Sequence, residues 1–226
     1  MINYERFKRL LTRCEEIAAE PIMNVGVVNV YTGVLKPVGD TFLKAHENVI
    51  AAESAFGKEN HEAVAALGGL DASYRVARSV VLAFVPEVVL PATLKVQPTD
   101  TDKLNAIEAL LDVLDDHAAE TWADEQLKGE FGVAGAKAVK EINEAIAANK
   151  ALAKAREVRA ASYGPAYEKF MAFKRVVRNA LGSKSKQYKR IHLRNAEAGS
   201  NGKGEAPEAA APTAPGAASP GSAMPS

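Results

Sequence analysis

The stretch at residues 131–181 constrains the fold of this chain most strongly, because its apolar residues recur at intervals of three and four. Val139, Ile142 and Ile146 follow that spacing, which places them on one face of an amphipathic helix. A second apolar series follows further along the same stretch and holds the densest group of aromatic residues in the chain. Its members are Tyr167, Phe170, Met171, Phe173, Val176, Val177, Ala180 and Leu181.

Gly164 and Pro165 separate these two series. Proline fits the first turn of a helix, and glycine fits the bend that precedes it. The pattern therefore predicts a hairpin of two helices that meet at Gly164 and Pro165. The second helix is predicted to end at Gly182.

Helical spacing also occurs in the rest of the chain. Residues 4–19 place Cys14 within an apolar face, and residues 42–56 form a heptad-like stripe. Gly68 and Gly69 predict a break, after which Asp71 is positioned to cap the next helix. A further helix is expected to begin with Thr99 or Asp100 as its cap, and its apolar residues follow the most regular spacing in the chain: Leu104, Ile107, Leu111, Leu114 and Ala118.

Two valine-rich segments are ambiguous, because their residue types favour strands. Residues 21–38 also have helical spacing, and we interpret them as a helix. Residues 88–96 contain Pro91, which favours an extended connector or an edge strand. If both segments were strands, they could pair as a small ribbon. The overall prediction is a mainly α protein, a bundle of about six helices over residues 1–194.

An offset of 89 residues aligns several identical residues, which would be explained by two related helix-pair units. Phe42 then aligns with Phe131, and Asn60 with Asn149. The alternative is a chance match between alanine-rich helices. Both asparagines interrupt apolar stripes, so we expect them to set the register between packed helices.

The composition changes at residues 195–226, where 24 of the 32 residues are Ala, Pro, Gly or Ser. Met224 is the only large hydrophobic residue there. Such a segment cannot bury enough apolar surface to offset the entropy lost on ordering. We therefore predict a disordered C-terminal tail.

Formal charge is zero overall, from 28 basic and 28 acidic residues, but the charges are segregated. Residues 100–130 hold ten acids and two lysines. Four of the acids, at intervals of four, would form a ladder on one helix: Asp112, Asp116, Glu120 and Asp124. Three interpretations fit this segment: a solvated surface, a face that docks onto a basic surface, or a metal site.

The opposite charge dominates at residues 169–195, which contain nine basic residues and no acids. The interpretations are a solvated helix end, an acidic protein partner, or nucleic acid bound through phosphate contacts and Tyr188 stacking. The predicted interaction residues are Lys174, Arg175, Arg178, Lys184, Lys186, Tyr188, Lys189, Arg190 and Arg194.

No motif in the sequence indicates catalysis, a cofactor or a metal. Cys14 is expected to act as a small buried hydrophobic residue rather than a nucleophile. The four histidines form no zinc or di-iron pattern, and the glycines at 129, 132 and 135 are interpreted as a flexible entry to a helix, because no Gly-Lys-Ser/Thr follows. Without a signal peptide or a long apolar run, we expect a cytoplasmic protein with no membrane span.

These features together predict a non-enzymatic structural or protein-interaction protein that acts through charged helical faces and could self-assemble. The alternative function is association with nucleic acid through residues 174–194. The two charged segments could be complementary within one molecule or between copies.

Overall fold

A computed structural model describes residues 3–192, and those residues are helical with short connections. The helices are α1 (Tyr4–Ala18), α2 (Val25–Val30), α3 (Lys36–Leu67), α4 (Leu70–Phe84), α5 (Asp100–Asp116), α6 (Thr121–Lys128), α7 (Glu130–Leu181) and α8 (Lys186–Ile191). A π-helical segment, Tyr31–Leu35, joins α2 to α3, and a 3-10 turn spans Leu94–Val96. Among the described residues, six helices are at least eight residues long, which confirms the predicted mainly α bundle. Arg194 and the predicted tail at 195–226 lie outside the described residues.

The two longest helices, α3 and α7, pack against each other and organise the molecule. Their contacts pair Phe42 with Tyr163 and Glu53 with Arg156, so the two helices are antiparallel. With 52 residues, α7 is about 78 Å long at 1.5 Å per residue. It therefore extends well beyond α3 and contacts other helices near both of its ends.

Two groups of buried side chains lie along α7. The first surrounds its N-terminal third, where Phe131, Ala138 and Ile142 pack with buried residues of α4, α5 and α6. The second surrounds its C-terminal third, where Phe170, Phe173 and Val177 are fully buried. Between them, Leu152 is the only α7 residue from 146 to 165 that is buried. The molecule is thus held together by a core at each end of the α3–α7 pair.

The predicted helical hairpin at Gly164 and Pro165 is wrong, because α7 continues through both residues. Aromatic rings hold the helix on either side of the proline. The ring of Phe7 in α1 lies 5.0 Å from that of Tyr163 and 5.8 Å from that of Phe170. These contacts fix the residues before and after Pro165 in one helical register, and this tertiary packing outweighs the local tendency of Gly-Pro to end a helix.

The same continuity argues against two related helix-pair units. Residues 36–84 form two helices with a break at Gly68 and Gly69, whereas the segment aligned with them at an offset of 89 lies largely within the single helix α7. Asn60 and Asn149 are both exposed. Neither asparagine therefore sets the register of packed helices, and that prediction is wrong.

The two ambiguous segments are both free of strands. Residues 25–35 are helical, as interpreted from their spacing, so no ribbon forms. Residues 85–99 connect α4 to α5 and are fixed by polar contacts: the Tyr74 hydroxyl donates to the Pro91 carbonyl at 2.9 Å and Arg78 Nε to the Leu90 carbonyl at 3.2 Å. Asp71 accepts from the backbone N–H of Leu94 at 2.8 Å and from Thr93. Asp71 therefore anchors this connection and does not cap α4, contrary to the prediction.

Two local predictions are confirmed. Thr99 caps α5 in a capping box with Asp102. Cys14 is fully buried in the apolar face of α1, where burial raises the pKa of its thiol.

Within residues 3–192, none of the helices combines the length and the apolarity that a bilayer crossing requires.

The glycines at the start of α7 are not a flexible entry, because Gly132 and Gly135 lie within the helix and are buried. A Cβ atom at Gly132 would lie 2.0 Å from the carbonyl oxygen of Leu127. That contact is with backbone, so a side chain at this position would force α6 and α7 apart. Close approach of the two helices therefore requires glycine here.

We expect Gly132→Ala to lower the free energy of unfolding by at least about 1–3 kcal/mol, the usual cost of forcing extra volume into a packed site. Gly57→Ala in α3 is the matched control, because a Cβ atom there meets nothing within 4 Å. The control is expected to stabilise the protein by about 0.5–1 kcal/mol. Urea unfolding measures both changes, and equal effects of the two variants would contradict the close approach.

Candidate functional site

The acidic and basic segments lie at opposite ends of α7. Helices α5 and α6 pack near Phe131, whereas α8 packs near the other end of the helix. The distance along α7 from Phe131 to Lys174 is about 65 Å. The two segments are therefore too far apart to pair with each other within one molecule.

Each end carries an unbalanced charge. The acidic end, defined as residues 70–146, has fourteen Asp and Glu residues against seven Lys and Arg residues. The basic end, defined as residues 3–50 together with 160–192, has fourteen Lys and Arg residues against seven Asp and Glu residues. The chain has zero net charge, but in the fold its two ends carry excess charge of opposite sign.

Within the acidic end, the predicted ladder is not on one helix. Asp112 and Asp116 are exposed on α5, whereas Glu120 precedes α6 and Asp124 lies within it. Glu120 accepts from Trp122 Nε1 at 2.6 Å and lies 2.8 Å from His117 Nδ1, and the His117 hydrogen bond lowers the pKa of Glu120. Glu120 therefore shapes the turn between α5 and α6, while Asp112 and Asp116 remain available on the surface.

The basic residues also divide into two kinds. Arg175, Arg178, Lys184, Lys186 and Lys189 are exposed. Arg190 instead binds Glu16 and Glu20 near the end of α1, the latter at 2.7 Å. Lys174 lies 5.8 Å from the centre of the Tyr188 ring, and partial burial lowers its pKa. Arg190, Lys174 and Tyr188 thus contribute to packing α8 onto the bundle, which the sequence did not indicate.

A third feature is a cavity of about 490 Å³ between α1, α3 and α7, which sequence reasoning missed. It is lined by Asn3, Tyr4, Glu5, His46, Ile50, Glu53 and Arg159. The side chain of His46 is almost completely buried, and its Nε2 lies 2.6 Å from a carboxylate oxygen of Glu5. This hydrogen bond to His46 is the main cause of the lowered pKa of Glu5.

Two polar atoms at this cavity have no hydrogen-bond partner among the residues that the structure describes: Nδ1 of His46 and Nε of Arg159. Both atoms are buried, and leaving such an atom unsatisfied costs about 1–3 kcal/mol. The Arg159 guanidinium carbon lies 4.2 Å from the centre of the Tyr4 ring. Buried polar atoms in proteins nearly always have a hydrogen-bond partner, so these two atoms call for one, such as a bound water or a ligand.

The sequence contains only a faint signal for this cavity. His46 lies four residues after Phe42 in an apolar stripe, and its ring stacks on that of Phe42, so its burial could have been inferred. The other residues of the cavity could not have been inferred, because Glu5 is 41 residues and Arg159 is 113 residues from His46 in the sequence.

The described residues contain two further polar clusters. A cavity of about 540 Å³ lies beside Gly69 and is lined by Arg75, Lys95 and Lys103 together with Asp71. Glu59, Glu141 and Glu144 bring one carboxylate oxygen each within 4.8 Å of one another, but Lys140 already lies 3.7 Å from Glu144. This cluster does not include the acidic residues for which a metal site was considered.

The chain was compared with protein-family profiles, with characterised proteins and with solved structures, and none of the three comparisons gave a match.

Proposed function

We propose that this chain is a non-enzymatic protein-interaction protein that associates head to tail, with the acidic end of one copy against the basic end of the next. The observation that carries the proposal is the charge separation along α7, fourteen acids against seven bases at one end and the reverse at the other. Opposite charges about 65 Å apart cannot pair within one molecule, whereas a neighbouring copy brings them into contact.

Contact between two different surfaces of the same protein is heterologous, so it produces a ring if the rotation closes and a filament if it does not. The exposed side chains suit this role, since Asp112 and Asp116 at one end and Lys186 and Lys189 at the other have no ion-pair partner within the described part of the chain. Because these charges are exposed, salt should weaken the association strongly. The Debye length falls from about 30 Å at about 0.01 M salt to about 3 Å at about 1 M.

The test is a charge exchange measured by sedimentation at low and at high salt. Lys186→Glu with Lys189→Glu reverses two exposed charges and lowers the excess of basic residues at the basic end from seven to three, and Asp112→Lys with Asp116→Lys lowers the acidic excess of the other end equally. We expect each pair alone to weaken low-salt self-association strongly, because like charges then face each other where these side chains meet. The chain that carries all four substitutions should associate more strongly than either pair alone, since the exchanged side chains are again complementary.

The matched control is Lys150→Glu with Lys154→Glu, which reverses two exposed lysines in the middle of α7. This variant should associate like the unmodified chain. The same proteins are also titrated with a labelled DNA duplex. The proposal fails if the fourfold variant does not recover association, or if reversal of Lys186 and Lys189 affects only DNA binding, which would support the nucleic-acid alternative.

A further inference from the structure

The cavity lined by His46 and Arg159 has a chemistry that the charged ends do not explain. Nε2 of His46 faces the Glu5 carboxylate, which can only accept a hydrogen bond while it is ionised. Nε2 must therefore carry the proton, and in the neutral imidazole Nδ1 is then a hydrogen-bond acceptor. Arg159 Nε is always a donor. With His46 neutral, the cavity thus holds one acceptor and one donor that have no partner among the described residues.

The other groups at the cavity narrow the choice of ligand. Glu5 and Glu53 place two carboxylates on its lining, the first hydrogen-bonded to His46 and the second to Arg156, so a simple anion attracted by Arg159 would also meet acidic groups. A simple cation would be repelled by Arg159 in turn. A molecule with an ammonium group and a carboxylate close together satisfies both signs of charge. The Tyr4 ring and Ile50, which is 47% exposed, provide apolar surface for the rest of the molecule.

We propose that this cavity binds a zwitterionic α-amino acid with an apolar side chain. The ligand carboxylate accepts from Arg159 Nε–H, and its ammonium group donates to His46 Nδ1 and lies beside Glu53, whereas Glu5 stays at the other ring nitrogen of His46. Both atoms are buried, and the Tyr4 ring lies over the Arg159 guanidinium, so binding requires side chains at the cavity to move. A cavity of about 490 Å³ has room for such a molecule.

The test uses three probes of the same shape, titrated into the full chain by calorimetry and by NMR. L-Leucine has both charged groups, 4-methylpentanoate lacks the ammonium group, and 3-methylbutylamine lacks the carboxylate. We expect leucine to bind at millimolar concentration or below and to shift the Tyr4 ring resonances. Each of the other two should bind at least about tenfold more weakly, the factor expected for one charge-assisted hydrogen bond.

Two variants test the assigned contacts. Arg159→Gln should weaken leucine binding about tenfold and leave binding of the amine unchanged, whereas Glu53→Gln should weaken leucine and the amine alike. Arg175→Gln, an exposed arginine further along α7, is the control and should have no effect. Equal binding of leucine and 4-methylpentanoate, or no binding of leucine to the folded chain, would overturn the proposal. Head-to-tail association is measured separately, so either proposal can fail without the other.

Discussion

Replacing Phe7 with alanine is expected to lower the free energy of unfolding by about 3–5 kcal/mol, the usual cost of removing a buried aromatic ring. Phe7 is 3% exposed, and its ring lies 5.0 Å from those of Phe42 and Tyr163. It also contacts the rings of Tyr167 and Phe170, at 5.9 and 5.8 Å. Each such aromatic pair contributes about 0.5–1.5 kcal/mol beyond the buried area, so the loss should fall at the upper end of the range.

The matched control is Phe84→Ala, the same substitution at a ring that is 58% exposed and stacks on Trp122 at 4.7 Å. Removing this one aromatic contact should cost no more than about 1.5 kcal/mol. Urea unfolding followed by circular dichroism measures both variants. A loss at Phe7 no larger than that at Phe84 would show that the aromatic contacts around Phe7 do not hold α1 against α7.

Much of the fold could be predicted because its determinants are local. The Leu104 series identifies α5, Thr99 marks its beginning, and Gly68 and Gly69 mark the break between α3 and α4. Each of these signals depends on residues within a few positions of one another in the chain. Gly69 is particularly informative, since its φ of 92° lies in the left-handed region that favours glycine.

The remaining features depend on contacts between distant segments. Asp71 is placed like a helix cap, yet a better set of donors, the hydroxyl of Thr93 and the backbone of Leu94, reaches it from 22 and 23 residues away. Arg190 belongs to a basic run, but the fold brings it to Glu16 and Glu20. The cavity of His46 likewise needs three helices that only the tertiary structure brings together. The acidic and basic segments can be recognised in the sequence, but the distance between them in the folded molecule depends on α7 being one continuous helix.

Because α7 continues through Pro165, we expect the substitution of this proline to change the stability of the protein strongly. Proline has no backbone N–H, so a helix that continues through it lacks one internal hydrogen bond. Pro165 is exposed, and replacing it removes no packing from the core. We therefore expect Pro165→Ala to raise the free energy of unfolding by up to about 3 kcal/mol, the difference between proline and alanine inside a helix.

The same substitution at Pro86 should have the opposite sign. Pro86 is exposed and lies just after α4, outside a helix, so alanine restores no helical hydrogen bond there and only adds freedom to the unfolded chain. This added conformational entropy of the unfolded chain should lower the free energy of unfolding by about 0.4–1 kcal/mol. If urea unfolding showed that Pro165→Ala also destabilises the protein, Pro165 would be ending one helix and starting another, as its sequence context predicts. The acidic and basic ends would then not be held apart by one rigid helix, and the head-to-tail proposal would lose its geometric basis.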